Sequence, residues 1–451
     1  MRRQNKALWL CSTVMLLMNS SFGYGADSLT SSESQGGIST YNAHISHLST
    51  SYAANVTSSV YGTSQSYDSI SSATYGTANE VPAVFFAPPV QPQINPAAVT
   101  TVTYSTYSGR ISMGTDRSLF IDGAGAVWSW GGKAGDKEAS VPKQVYSLET
   151  ASAIVTGSHN LLLSQSGNVW AWGSNHYGQL GDGTSENRKE PVQVPALSGI
   201  AAIAAGASHS LALKQDGTVW SWGFSAFGDK SFRGDKRPSK PGQIAGLQNI
   251  AAITAAAKHN LALSKDGSVW SWGENDKGQL GDGTKTPSAA PVKLSTIHGA
   301  KAISAGTDHS LALLNDGTVW SWGQNSMGQL GDGTNVERLA PVQVKGLADV
   351  VAISAGAYYS LALKSDGTVW SWGSDSYGQL GNELKQHRNE PVQVTGLKAS
   401  QIAAGTYASI ALGMDGTIYA WGTNMYGQLG SEGQAIELTP KPVKGISASQ
   451  K

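Results

Sequence analysis

Four histidines, His159, His209, His259 and His309, recur at intervals of fifty residues. Imidazole is a common metal ligand and the usual acid–base group near neutral pH, so a regular set of four raises a metal or proton-transfer site. The surrounding sequence argues otherwise. Each histidine opens a near-copy of one phrase, as in HSLALKQDGTVWSWG from His209, yet the equivalent position is Arg117 in the first copy, Tyr359 in the sixth and Ala408 in the seventh. Equivalent atoms of successive copies are displaced from one another and need not converge on one ion. These histidines are expected to be hydrogen-bonding side chains at strand starts.

The other polar motifs yield to the same test. GQLGDGT, at 178–184, 278–284 and 328–334, has neither the spacing of a calcium loop nor the lysine of a phosphate loop. It reads as a tight loop whose leucine (Leu180, Leu280, Leu330) plugs between neighbouring units. Asp216, Asp266, Asp316, Asp366 and Asp415 fall once per copy as turn residues, not as a carboxylate pair. His44 and His47 form an H-x-x-H with no helix signal around them. No nucleophile elbow occurs, so the chain is expected to be no enzyme and to need no metal or cofactor.

Function is then expected where a copy departs from the pattern. The third copy departs most, reading FSAFGDKSFRGDKRPSKPGQIAGL after Gly223 and losing GQLGDGT. Residues 229–241 carry five basic side chains against two acidic ones, a net +3, with phenylalanines among or beside them. Phe227, Lys230, Phe232, Arg233, Lys236, Arg237 and Lys240 are the candidate partner contacts, because aromatic and arginine side chains dominate protein interfaces. The fourth copy carries Ala256 where the others have glycine, with no functional consequence apparent.

The elements that must position these residues follow from the repeat itself. The second aromatic of each W-x-W-type pair falls at Trp130, Trp172, Trp222, Trp272, Trp322, Trp372 and Trp421, giving seven copies. Asp-Gly between alternating runs signals a hairpin. With Asp216-Gly217 as a two-residue loop, Leu213 pairs with Trp220, Ala212 with Ser221 and Leu211 with Trp222. The same construction pairs Leu163 with Trp170, Leu161 with Trp172, Leu412 with Tyr419 and Ile410 with Trp421. That register gives each hairpin one face of leucine and tryptophan and one of alanine and serine. Burying each tryptophan contributes about 4–6 kcal/mol gross, which an isolated hairpin cannot capture. AIAAG (202–206) supplies a strand before the hairpin and PVQV (191–194, 341–344, 391–394) one after it. Four strands in each of seven copies predict an all-β, seven-bladed propeller, since radial stacking covers every copy and leaves short edges.

Residues 302–347, which include AISAGTDHSLALLNDGTVWSWGQNSMGQLGDGT and PVQVKGL, resemble the repeat of the regulator of chromosome condensation family. The resemblance runs from about residue 110 to 446 and implies the same seven-bladed propeller, here in an exported bacterial-type member. It also implies an activity, guanine nucleotide exchange on a Ran-type small GTPase, as the alternative to a binding scaffold. The basic third-copy loop is the candidate wedge, although it matches no family motif residue by residue. A third reading, inhibition of a secreted enzyme, follows from the capacity of similar propellers to block an active site.

The flanks bear on destination. MRRQNK, ALWLCSTVMLLM and NSSFGYGA read as the three regions of a secretory signal ending near residue 26, with an apolar run too short to span a bilayer. The periplasm, cell surface or exterior is the expected location, with no integral membrane segment after cleavage. Cys11 is the single cysteine, so disulfides are excluded downstream. Residues 27–98, rich in serine, threonine and tyrosine and then in proline, have too little aliphatic content to offset ordering and read as a disordered spacer. Residues 99–447 are assigned to the propeller, in which VTTVTYSTY (99–107) is a candidate closing strand of undetermined register. With 31 basic and 31 acidic side chains, net charge favours neither nucleic acid nor an anionic membrane. The expected species is a monomer that binds a protein partner.

Overall fold

A computed structural model describes residues 109–132, 134, 137–145, 150–224, 240–431 and 435–447. Among the described residues, every regular element apart from one 3₁₀ turn, Lys137–Ser140, is a β-strand. Each copy of the repeat forms a four-stranded antiparallel sheet in sequence order, innermost strand first. In the fifth these are Ala300–Ala305, His309–Leu314, Val319–Gly323 and Arg338–Gln343. The sixth and seventh sheets share one 17-residue strand, Arg388–Ala404, which is outermost in the sixth and innermost in the seventh. These are the seven blades of a propeller. The segment 99–107 lies outside the described residues.

The hairpin register differs by one residue from the sequence expectation. Leu213 faces Val219, Ala212 faces Trp220, Leu211 faces Ser221 and Ser210 faces Trp222. Likewise Leu163 faces Val169, Leu161 faces Ala171, Leu412 faces Ile418 and Ile410 faces Ala420. The turn is the cause. Lys214 N–H donates to Thr218 O and Gly217 N–H to Lys214 O, both at 2.9 Å, so the loop has three residues, Gln215 to Gly217. Gly217 sits at φ +82°, the left-handed residue that closes a type I turn with a bulge. Asp216 Oδ1 locks it by accepting from Thr218 N–H at 2.9 Å and Oγ1–H at 2.6 Å.

The corrected register changes how blades stack. One face of each blade is aliphatic and the other presents tryptophans separated by small residues. In the third–fourth joint, Leu211, Leu213 and Val219 of one blade pack on Ile253, Ala262 and Trp272 of the next. The same interdigitation recurs at every joint, including that of the seventh blade (Ile410, Leu412, Ile418) with the first (Phe120, Trp130). The ring is therefore closed by seven apolar cores, and no blade leaves its tryptophan face uncovered. The loop leucines Leu180, Leu280, Leu330, Leu380 and Leu429 are buried as plugs.

Candidate functional site

Each histidine bridges two blades. His159 Nε2 lies 2.6 Å from Ser210 Oγ, His259 Nε2 2.8 Å from Ser310 Oγ, and His309 Nε2 3.0 Å from Ser360 Oγ. The three serines give their only proton to the backbone carbonyls of Gln179, Gln279 and Gln329. Each must therefore accept from the imidazole, which fixes the Nε2–H tautomer. His209 obeys the same rule by donating to Asn260 Oδ1 at 2.6 Å. Where the sixth copy has Tyr359, its hydroxyl donates to Ala408 O at 2.6 Å.

None of the four imidazoles is more than 6% exposed. Burial pushes His159, His259 and His309 down to about 3, helped in the first two by a neighbouring imidazole, and it lowers His209 as well. His159, His259 and His309 therefore stay neutral through the physiological range. Space is equally closed: a Cβ on Gly306 would lie 2.3 Å from His309 Cε1. Among the described residues, no three His, Cys, Asp or Glu side chains gather to hold a metal ion.

The plug loops complete the joints. The Gln279 carbonyl accepts both Ser310 Oγ–H and Trp322 Nε1–H, each at 2.9 Å. Gln179, Gln329, Gln379 and Gln428 hold the equivalent serine and tryptophan of the following blade at 2.7–3.0 Å. The two joints without this clamp follow the first and third copies, the two that lack a GQLG loop. Their serine is replaced by Asn160 and Asn260, whose amides bring their own acceptor oxygen. That covariation was legible in the sequence and was missed.

Of the predicted contact residues, Phe227, Lys230, Phe232, Arg233, Lys236 and Arg237 lie outside the described residues. Lys240, at the end of the same segment, is exposed, with its side chain beside Gly183 of the second blade. Phe224, at the start of the segment, is 42% exposed and tilts against Tyr177, ring centroids 5.3 Å apart. This face of the ring carries the turns after the innermost strands as well as the plug loops. A depression of about 280 Å³ opens at its centre, lined by glycine, alanine, threonine and serine from all seven blades, with Met113. Sequence reasoning also missed Asp308, Tyr358 and Tyr407, which stand one residue before the histidine position in the last three blades.

Seven stacked four-stranded blades, joined through buried histidines and their partners, define a β-propeller. A family model, the RCC1-like domain, matches residues 132–451, and the chain belongs to that family. Yeast RCC1 (Prp20), solved bound to Kap60, is 24% identical, with 76% of this chain and 86% of that one covered at a TM-score of 0.63. Prp20p from Saccharomyces cerevisiae, in a structure described together with its binding to Gsp1p and histones, is 25% identical, covering 75% and 88% at 0.63. Human WBSCR16 is 24% identical, covering 68% and 84% at 0.61. No curated protein sequence matches this chain. Among the described residues, no helix is long and apolar enough to cross a membrane.

Proposed function

We propose that this chain is an exported, monomeric, non-catalytic scaffold that binds a protein partner through loops on the face bearing the central depression. One observation carries the reading. The side chains that recur with chemical potential, the histidines and their serines, are buried and tied through Nε2 and Oγ into bonds between blades, which leaves a frame whose variation lies in its loops. The basic stretch of the third copy, with Lys230, Arg233, Lys236, Arg237 and Lys240, is the proposed contact. Export to the envelope or beyond follows from the N-terminal signal pattern.

Guanine nucleotide exchange is the second reading, favoured by likeness to Prp20p, whose structure is described with Gsp1p binding. One experiment separates the two. The full chain is cross-linked in envelope extract and in eukaryotic lysate, beside a variant with the five loop basics changed to alanine. Capture of an envelope or extracellular protein by the wild-type chain, lost in the variant, is expected. A captured small GTPase whose nucleotide release is accelerated would replace scaffold by exchange factor. A captured secreted hydrolase that loses activity would refine the scaffold to an inhibitor. Substrate turnover by the chain itself, abolished by a point substitution, would overturn both readings.

A further inference from the structure

Asp308, Tyr358 and Tyr407 occupy the same position in the fifth, sixth and seventh blades, each just before the strand that begins with the histidine-equivalent residue. Their preceding neighbours Thr307, Ala357 and Thr406 line the central depression, so the three side chains follow one another around its lip. Tyr377, from the plug loop of the sixth blade, adds a fourth member. Its ring packs on that of Tyr407 with centroids 4.9 Å apart and planes at 47°. Tyr358 lies in the field of Asp308, and Tyr407 in that of Tyr358 and Tyr377. All four side chains are half-buried.

This arc has unmet valences. Among the described residues, nothing hydrogen-bonds the three phenol hydroxyls or pairs with the Asp308 carboxylate. Lys258, one of the two lysines whose charge Asp308 feels, is paired with Glu274 at 3.1 Å. Burial raises the Asp308 pKa, and the nearby Asp276 and Glu274 raise it further, against opposition from Lys258 and Lys277. A carboxylate in that setting gains from a new cation, and tilted tyrosine rings offer such a cation their negative faces.

We propose that Asp308, Tyr358, Tyr377 and Tyr407 form a cradle for a lysine or arginine side chain on an extended segment of the partner protein. The proposal rests on the protein-binding reading above and names the chemistry of the partner. The small residues of the depression allow a peptide backbone to come close, the rings flank the aliphatic stem and charged head, and Asp308 neutralises it. A neutral saccharide would also stack on the tyrosines, but it would leave the Asp308 charge unmatched.

The test is titration of the full chain with fluorescent peptides that alternate lysine with glycine and serine, followed by anisotropy. The same peptide with every lysine acetylated, and a neutral oligosaccharide, serve as further probes. The cationic peptide is expected to bind at least tenfold more tightly than its acetylated form. Asp308→Asn and Tyr407→Leu should each weaken it about tenfold or more, with Tyr407→Phe close to wild type and the thermal midpoint of Asp308→Asn unchanged. Equal binding of the acetylated peptide, or full affinity in Asp308→Asn, overturns the proposal. Saccharide binding lost in Tyr407→Leu would overturn it in favour of a glycan site. If the cross-linked partner is captured equally by wild type and Asp308→Asn, the cradle fails while the scaffold stands; if wild type captures no partner, the scaffold itself fails.

Discussion

His209 donates to Asn260 across the joint between the third and fourth blades, Nε2 to Oδ1 at 2.6 Å, where two later joints place a serine against the histidine. The difference belongs to the loop behind it. A serine can accept from the imidazole because its own proton goes to the carbonyl of a GQLG glutamine. The third blade has no such loop, so a residue with a built-in acceptor takes its place. Local sequence choices in one blade are thus set by what the preceding blade supplies.

Exchanging the two solutions should harm both joints. In Asn260→Ser the shorter side chain draws away from His209 and its hydroxyl has no glutamine carbonyl to bond. In Ser310→Asn the bulkier amide is forced against the Gln279 carbonyl, already bonded at 2.9 Å. Each is expected to cost about 1–3 kcal/mol, the first for a buried unsatisfied donor and the second for overpacking. Denaturant midpoints at pH 7 measure this, and a neutral Ser310→Asn would remove the clamp from the account of the fold.

Acid should loosen the ring well above the range where carboxylates protonate. Burial holds His159, His259 and His309 at about 3 in the folded chain, below the ordinary imidazole value of about 6.5. The unfolded chain therefore binds protons that the folded chain refuses. Their contribution is intact above about pH 6.5 and is lost as pH falls from there toward 3, at roughly 1.4 kcal/mol per histidine per pH unit. Unfolding free energy should drop steeply between pH 7 and 5, and His309→Gln, starting from lower stability, should show a shallower slope, because one of the four lowered imidazoles is gone. A flat profile over that window would contradict the buried, neutral assignment.

The propeller was legible in the sequence because a fifty-residue period with thirteen tryptophans in seven copies admits few other ways of covering them. The register was not. Asp-Gly reads as a two-residue turn, and only the backbone bonds of Lys214 with Thr218 and Gly217 reveal a third loop residue. That one step decides which side chains share a face, so the sequence pattern misjudged how bulky and small residues divide between blades. The cradle was hidden for another reason. Asp308, Tyr358 and Tyr407 lie about fifty residues apart in the chain, and only the closed ring makes them neighbours. Most of the predicted basic loop lies outside the described residues, so its part in binding rests on chemistry alone.

The hairpin glycine should be the most sensitive turn position. Gly317 sits at φ +81°, and the seven equivalent glycines all lie between 79° and 83°. Gly317→Ala is expected to cost about 1–2 kcal/mol for a side chain in the left-handed region, with a Cβ only 3.3 Å from Asp349 Cα. Gly317→Asn should cost less, because asparagine tolerates that region. Thermal melts of the two variants give the ordering, and alanine at or above asparagine would argue against the bulged turn.

The sixth blade offers a gain rather than a loss. Asp375 stands fully buried where the other plug loops have asparagine, and Asn382 stands where three of them have aspartate and the seventh has Ser431. In the fifth blade Asn325 Nδ2 donates to Asp332 Oδ1 at 3.1 Å and Arg338 pairs with the same carboxylate. Asp375 instead accepts from Leu380 N–H and Gln386 N–H, and burial outweighs these bonds and raises its pKa to about 6. A folded pKa above the unfolded value means the ionised group destabilises the fold. That cost is full above pH 6 and disappears as pH falls toward 4. The exchange Asp375→Asn with Asn382→Asp should therefore stabilise the chain by about 1–2 kcal/mol at pH 7, with the gain shrinking near pH 4.5. Asp375→Asn alone should recover less, because the amide would turn a donor toward Gln386 N–H. Chemical denaturation of both variants at the two pH values decides it: a gain that is absent at pH 7, or unchanged at pH 4.5, would mean that Asp375 is not held ionised at a cost in this loop.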